Sequence, residues 1–205
     1  MKPTLLLALL CAMVAPITQA DTVALFDGKT LAGWEGDKKL WWVEDGAITG
    51  GSRTEVLPEN EFLASQRSFA DFELRLKIRL SGEGFVNSGI QIRSQRLPGG
   101  PEMIGYQVDA GDGWWGLLYD ESRRKDVIAR SSDMKAVAAA VRGNDWNEYR
   151  IRAEGPRIRT WINGVPALDY TERDASIALA GRIGIQVHGG GKTIVQVKDV
   201  TIEAL

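Results

Sequence analysis

From Phe72 to Leu80 the chain alternates without a break. Phe72, Leu74, Leu76, Ile78 and Leu80 share one parity, and Glu73, Arg75, Lys77 and Arg79 share the other. A period of two puts successive side chains on opposite faces of a strand, so this segment is a half-buried antiparallel strand with one apolar face and one solvated face. Such a strand is not stable alone; its apolar face must be covered by a second layer.

The rest of the sequence supplies further strands rather than helices. Arg159–Ile162 and Val165–Leu168 flank Asn163-Gly164, a pair that tolerates positive φ and predicts a two-residue hairpin. Shorter strands are expected at 23–26, 41–43, 47–49, 89–93, 106–109, 116–119, 146–152, 182–188 and 193–202. Only Met134–Val141 reads as helix, with Asp133 as N-cap and Gly143 past its end. Many short strands with glycine-rich turns predict an all-β fold of two antiparallel sheets packed as a β-sandwich. Without alternating helices, a doubly wound α/β fold is excluded.

The first twenty residues are of a different kind. Lys2, an apolar run from Leu5 to Val14 and the small residues ending at Ala20 have the pattern of a secretory signal peptide. The expected organisation is therefore a leader over 1–20 and one domain over 21–205, in a periplasmic or secreted protein. The apolar run is too short for the ~20 residues of a membrane span. Cys11, the only cysteine, lies in that leader, so the exported chain has no disulfide, thiol nucleophile or cysteine-ligated metal. A net charge of −2 gives no basic footprint for nucleic acid.

Three strands carry polar pairs. Gln91 and Arg93 lie opposite Ile90 and Ile92; Gln107 and Asp109 lie opposite Tyr106 and Val108; Gln186 and His188 lie opposite Ile185 and Val187. If these strands are neighbours, three amides line up beside an arginine, an aspartate and the only histidine. Amides both donate and accept, as sugar hydroxyls do, and histidine exchanges protons near neutrality. The competing expectation is a row of ordinary polar residues on a solvated sheet face. Gly189-Gly190-Gly191 leaves His188 uncrowded or forms a simple turn. Trp114 and Trp115 are adjacent, so in a strand one enters the core and the other meets a ligand, with Tyr119 and Glu121 close by. Of the seven tryptophans, four or five are expected in packing roles.

The segments LFDGKTLAGW (25–34), WWVEDGAITGG (41–51), DFELRLKIRL (71–80) and NSGIQIRS (87–94) resemble the 3-keto-disaccharide hydrolase domain family. GYQVDAGDGWWGLLYDESRRK, WNEYRIRAEGPRIRTWINGVPALDY and GRIGIQVHGG continue the resemblance in order. It implies a jelly-roll sandwich of the concanavalin A-like lectin/glucanase type and action on 3-keto-glycosides. By position in the motifs, Arg93, Gln107, Asp109, Tyr119, Glu121, Gln186 and His188 correspond to site residues. The family's commoner pattern has glutamate where this chain has Gln107 and glutamine where it has Asp109.

The E-x-D-x-x-E strand motif of two-carboxylate glycosidases on this fold is missing, which disfavours direct oxocarbenium chemistry. A 3-keto group instead acidifies the C2 hydrogen and permits elimination at C1, followed by hydration. The expected catalytic set is His188, Asp109 and Arg93, with His188 or Asp109 as base and Arg93 or a divalent cation stabilising the enolate. The expected substrate-binding set is Gln91, Gln107, Trp114, Trp115, Tyr119, Glu121 and Gln186, and the partner a small oxidised carbohydrate. No cofactor is otherwise implied; a divalent cation, if bound, would take Asp109, Glu121 and His188. The alternatives are a non-catalytic carbohydrate-binding module, which needs a shallow aromatic platform, and an assembly protein, which needs an exposed apolar patch. An enzyme needs a concave pocket holding His188 and Asp109.

Overall fold

The computed structural model describes residues 21–205; the leader expected over 1–20 lies outside the described residues. The strands are β1 (Thr22–Ala24), β2 (Trp34–Glu35), β3 (Trp41–Glu44), β4 (Ala47–Gly51), β5 (Glu61–Phe69), β6 (Phe72–Gly84), β7 (Asn87–Arg96), β8 (Met103–Gly111), β9 (Leu117–Glu121) and β10 (Val127–Arg130). After helix α1 (Met134–Ala140) come β11 (Asn147–Glu154), β12 (Arg157–Ile162), β13 (Val165–Thr171), β14 (Gly181–Val187) and β15 (Gly191–Ala204). One sheet runs β13-β12-β11-β6-β15-β4-β3, with β1 added on β15. The other runs β10-β9-β8-β7-β14-β5-β2. Every pairing is antiparallel, so the fold is the expected two-sheet β-sandwich.

The alternation in β6 does what its parity requires. Phe72, Leu74, Leu76, Ile78 and Leu80 are buried and meet Ile90, Ile92, Val108, Ile183 and Ile185 of the facing sheet in one core. On the other parity Glu73 is also buried, because Arg75 and Arg150 fold over it and donate at 2.7 and 2.8 Å. The β12–β13 hairpin turns through Asn163 and Gly164 at φ +49° and +83°, and α1 is capped by Asp133, which accepts from the Ala136 amide. Strands β2, β5 and β10 were not foreseen. In β5, apolar Phe62-Leu63-Ala64 gives way to polar Ser65–Ser68, and its register to β14 shifts midway, so no period of two survives.

The tryptophans divide between the core and partly buried packing, with Trp115 set against the core. Only Trp34 and Trp41 are buried. Trp146 and Trp161 are half-buried beneath cations, with Lys198 and Arg150 each 4.2 Å from the respective ring centres.

Candidate functional site

The three strands with polar pairs are neighbours, since β7 lies between β14 and β8. Register then fixes which side chains meet. Gly89 stands opposite Asp109, Gln91 opposite Gln107 and Gly184 opposite Gln91. Side chains and glycines thus alternate, and the long amides lie down across the glycines. A Cβ on Gly89 would sit 2.4 Å from Gln107 Cγ, so the absence of a side chain there lets Gln107 cross toward Gln186.

The amides form one connected chain. Ser94 Oγ donates to Gln91 Oε1 at 2.5 Å, and Gln91 Nε2 donates to Gln107 Oε1 at 3.0 Å. Gln107 Nε2 is shared between Asp109 Oδ1 at 3.0 Å and Gln186 Oε1 at 3.3 Å. Gln186 Nε2 ends the chain on Glu121 Oε2 at 3.1 Å. Gln91, Gln107, Asp109 and Gln186 are all buried, so the solvated-face expectation does not hold. Two further bonds hold the frame: Ser88 Oγ donates to the Gln186 carbonyl at 2.6 Å, and Tyr149 of the other sheet donates to the Asp109 carbonyl.

Above the chain is a cleft of about 160 Å³ with Gln107, Asp109 and Glu121 at its base and Asn60, Asn87, Trp114, Tyr119 and His188 around it. Burial pushes the Asp109 carboxyl up to about 8; the Gln107 bond opposes this and the Glu121 charge adds to it. Burial, helped by the charge of Glu102, pushes Glu121 up to about 7. Two buried polar atoms in this cleft have no protein partner: Asp109 Oδ2 and Asn87 Nδ2. Buried polar groups are nearly always satisfied, so this pair marks where a ligand's polar atoms belong. His188 Nδ1 lies 2.6 Å from the Gly189 carbonyl. A carbonyl only accepts, so Nδ1 carries the proton and Nε2 is left as the basic nitrogen. The glycines after His188 allow close backbone approach: a Cβ on Gly189 would meet Glu59 backbone at 2.8 Å, and one on Gly191 the Phe85 carbonyl oxygen at 2.2 Å.

Of the expected site residues, Asp109, Gln107, Glu121, Tyr119, Trp114 and His188 line this cleft. Gln186 and Gln91 stand one bond behind it as links of the amide chain. Arg93 is a correction. It sits at φ +50° in a bulge between Ile92 and Gln95, which reverses its parity and turns it away from the amides. Its guanidinium donates to the Ala70 and Gly155 carbonyls at 2.8 and 2.6 Å and to Asp71 Oδ1 at 2.8 Å. Arg93 therefore ties the two sheets together at their edge. Trp115 is a second correction. Both tryptophans lie in the turn before β9 rather than in a strand, and Trp115 points away to pack on Tyr149, ring centres 5.7 Å apart. Among the described residues no three His, Cys, Asp or Glu side chains form a group that could hold a metal ion, so Asp109, Glu121 and His188 are not arranged as a ligand set.

Sequence reasoning missed Asn60 and Asn87. Asn87 has the same parity as Gly89 and Gln91, two and four residues along β7, and that was its available signal. Asn60 precedes β5, a strand the sequence concealed; its Oδ1 accepts the Gly189 amide at 3.1 Å.

Sandwich, cleft and its proton-holding carboxyls suit a carbohydrate-active protein of hydrolase-like or carbohydrate-binding kind, the class that the family match supports. The family model described as the 3-keto-alpha-glucoside-1,2-lyase-like domain matches residues 21–203, and the chain belongs to that family. Among solved structures it is similar to a candidate glycosyl hydrolase from Parabacteroides distasonis, with 20% identity, 90% of this chain and 94% of that one covered, and a TM-score of 0.66. It is also similar to the carbohydrate-binding module CBM66 from Bacillus subtilis, with 19% identity, 84% and 96% covered, and a TM-score of 0.61. At these identities the likeness is one of fold. No curated protein matches the chain.

Proposed function

We propose that this chain is an exported enzyme that cleaves 3-keto-glycosides by elimination and hydration. One observation carries the reading: a buried carboxyl oxygen and a buried amide donor, Asp109 Oδ2 and Asn87 Nδ2, stand without partners in a cleft that also holds His188. A cleft of this size is well below the ~300–1,000 Å³ of ordinary small-molecule sites, so it suits one sugar ring. A concave pocket with proton-exchanging groups also favours catalysis over a flat binding platform.

In this mechanism His188 Nε2 removes the C2 proton and the electrons move into a C2–C3 double bond, placing negative charge on the C3 oxygen. Arg93 is elsewhere, so the oxyanion is met by Asn87 Nδ2 and by the neutral Asp109 carboxyl. Because Oδ1 accepts from Gln107, the Asp109 proton belongs on Oδ2. A carboxylic acid kept neutral by burial is a strong donor to such an oxyanion. The carbonyl then re-forms, C1=C2 appears and the C1–O bond breaks, with Glu121 protonating the leaving oxygen. Water adds at C1 and a proton returns to C2, giving net hydrolysis.

Incubation with matched 3-keto and unoxidised disaccharides, with product analysis, tests this. Consumption of the keto sugars alone is expected. If every keto sugar survived while glycans bound at the same residues, the binding-module reading would replace this one. Export is tested by sequencing the N-terminus of protein from its native host, expected at Asp21 or within a residue or two; retained Met1 would end that part of the proposal.

A further inference from the structure

Phe85 is out of place for a residue of its kind. Among the described residues it is the one aromatic ring that is exposed, at 41%, and it stands in the tight β6–β7 turn next to Val86, which packs on the core. Its position is fixed from behind. Gly191 packs so closely that a Cβ there would lie 2.2 Å from the Phe85 carbonyl oxygen, and Thr193 Oγ1 donates to that same oxygen at 3.3 Å. The backbone that carries the ring is therefore held against β15.

Its neighbours are cleft residues. The Phe85 ring centre is 4.8 Å from that of His188 with planes at 77°, and 6.4 Å from that of Trp114 at 83°. Trp114 in turn meets Tyr119 edge-on at 6.5 Å. These rings form a continuous aromatic wall that begins inside the cleft at Tyr119 and ends in solvent at Phe85. The cleft has room for one ring, so a leaving group at C1 must lie outside it. Along this wall it would meet aromatic surface. A second sugar could lay a C–H face on these rings, but its hydroxyls need donors and acceptors around its edge, and Phe85 and Trp114 offer only an indole N–H. A flat apolar ring instead gains offset or edge-to-face contacts with them.

We propose that Phe85, with Trp114, forms a leaving-group subsite selective for aromatic aglycones, so that the preferred substrates are aryl 3-keto-glycosides rather than 3-keto-disaccharides. This rests on the proposed reaction at His188 and Asp109 and adds to it the class of the departing group.

The test compares phenyl and methyl 3-keto-glucosides and a 3-keto-disaccharide in the wild type, Phe85→Ala and Phe85→Tyr. Aryl leaving groups are intrinsically more reactive, so KM and not kcat is the readout. The wild type is expected to show KM about 10-fold lower for the phenyl than for the methyl glycoside. Phe85→Ala is expected to abolish most of that ratio, and Phe85→Tyr, which keeps the ring, to retain it. Loss of affinity for the disaccharide as large as for the phenyl glycoside would make Phe85 a sugar platform and overturn the proposal. An unchanged phenyl-to-methyl ratio in Phe85→Ala would overturn it as well. If the wild type turns over no keto sugar, the reaction assignment fails. The subsite is then still read by calorimetric binding of phenyl against methyl glucoside, where equal affinities in wild type and Phe85→Ala would reject it too.

Discussion

Gln107 Nε2 donates to Asp109 Oδ1 at 3.0 Å, which leaves Oδ2 as the only oxygen of that carboxyl facing the cleft without a partner. The bond holds the carboxyl in place, while burial pushes its pKa up to about 8. These opposing effects make Asp109 a neutral donor at pH 7, and they tie activity to stability.

In the folded protein Asp109 keeps its proton up to about pH 8, whereas the unfolded chain releases it near 3.8. Between those values the native state binds more protons, so stability falls as pH rises and levels off only above about 8. At ~1.4 kcal/mol per pKa unit the decline is on the order of a few kcal/mol. Asp109→Asn should remove that decline, so its melting temperature at pH 9 should exceed the wild type's. Turnover of a 3-keto-glycoside should meanwhile fall only modestly, by ~10-fold, because the Asn amide still donates from the place of Oδ2 but is a weaker donor to the enolate than a carboxylic acid. Thermal melts at pH 5 and pH 9 beside steady-state rates check both parts, and a variant no more stable than wild type at pH 9 would contradict the burial argument.

Gly89→Ala tests the amide chain without touching a polar group. The new Cβ would fall 2.4 Å from Gln107 Cγ and 2.6 Å from its Cδ, so Gln107 must leave its place between Asp109 and Gln186. We expect a stability loss of about 1–3 kcal/mol, typical of overpacking, with turnover reduced at least ~10-fold in the fraction that folds. Urea unfolding and single-turnover rates separate the two effects; full activity would mean that the chain does not position Asp109.

Arg93→Met should behave in the opposite way. It removes three charge-assisted hydrogen bonds that join Ala70, Asp71 and Gly155 and touches nothing in the cleft. A loss of roughly 2–4 kcal/mol is expected, with kcat of the folded enzyme within about threefold of wild type. A kcat falling by orders of magnitude at unchanged stability would return Arg93 to the catalytic set.

That contrast shows what the sequence discloses and what it hides. The period of two located β6, β7, β8 and β14 and placed Gln91, Gln107, Asp109 and Gln186 on a common face, because parity is a local property of extended backbone. It failed at Arg93, where one residue at φ +50° shifts every later side chain to the other face. The Asn163-Gly164 hairpin was legible because its turn demands those residues. Strand β5 was not, since its pairing to β14 depends on a register that no local pattern encodes. Phe85 belongs to no periodic segment, and only its distances to His188 and Trp114 give it a role.

Asn87 offers the most discriminating variant, because its side-chain donor is buried without a partner in the free protein. An unmade hydrogen bond carries its desolvation penalty for nothing, so replacing the amide by an apolar group of similar shape should be nearly neutral for folding or slightly stabilising. Asn87→Leu should therefore unfold at the wild-type denaturant midpoint or above it. In the reaction, however, that donor meets the C3 oxygen as it becomes negative, and loss of one oxyanion donor typically lowers kcat by ~10²–10³-fold. The substrate carbonyl is neutral before proton abstraction, so KM should change far less than kcat. A fall in kcat at undiminished stability supports the assignment. Wild-type kcat in Asn87→Leu would remove Asn87 from the mechanism and leave Asp109 as the sole donor to the enolate.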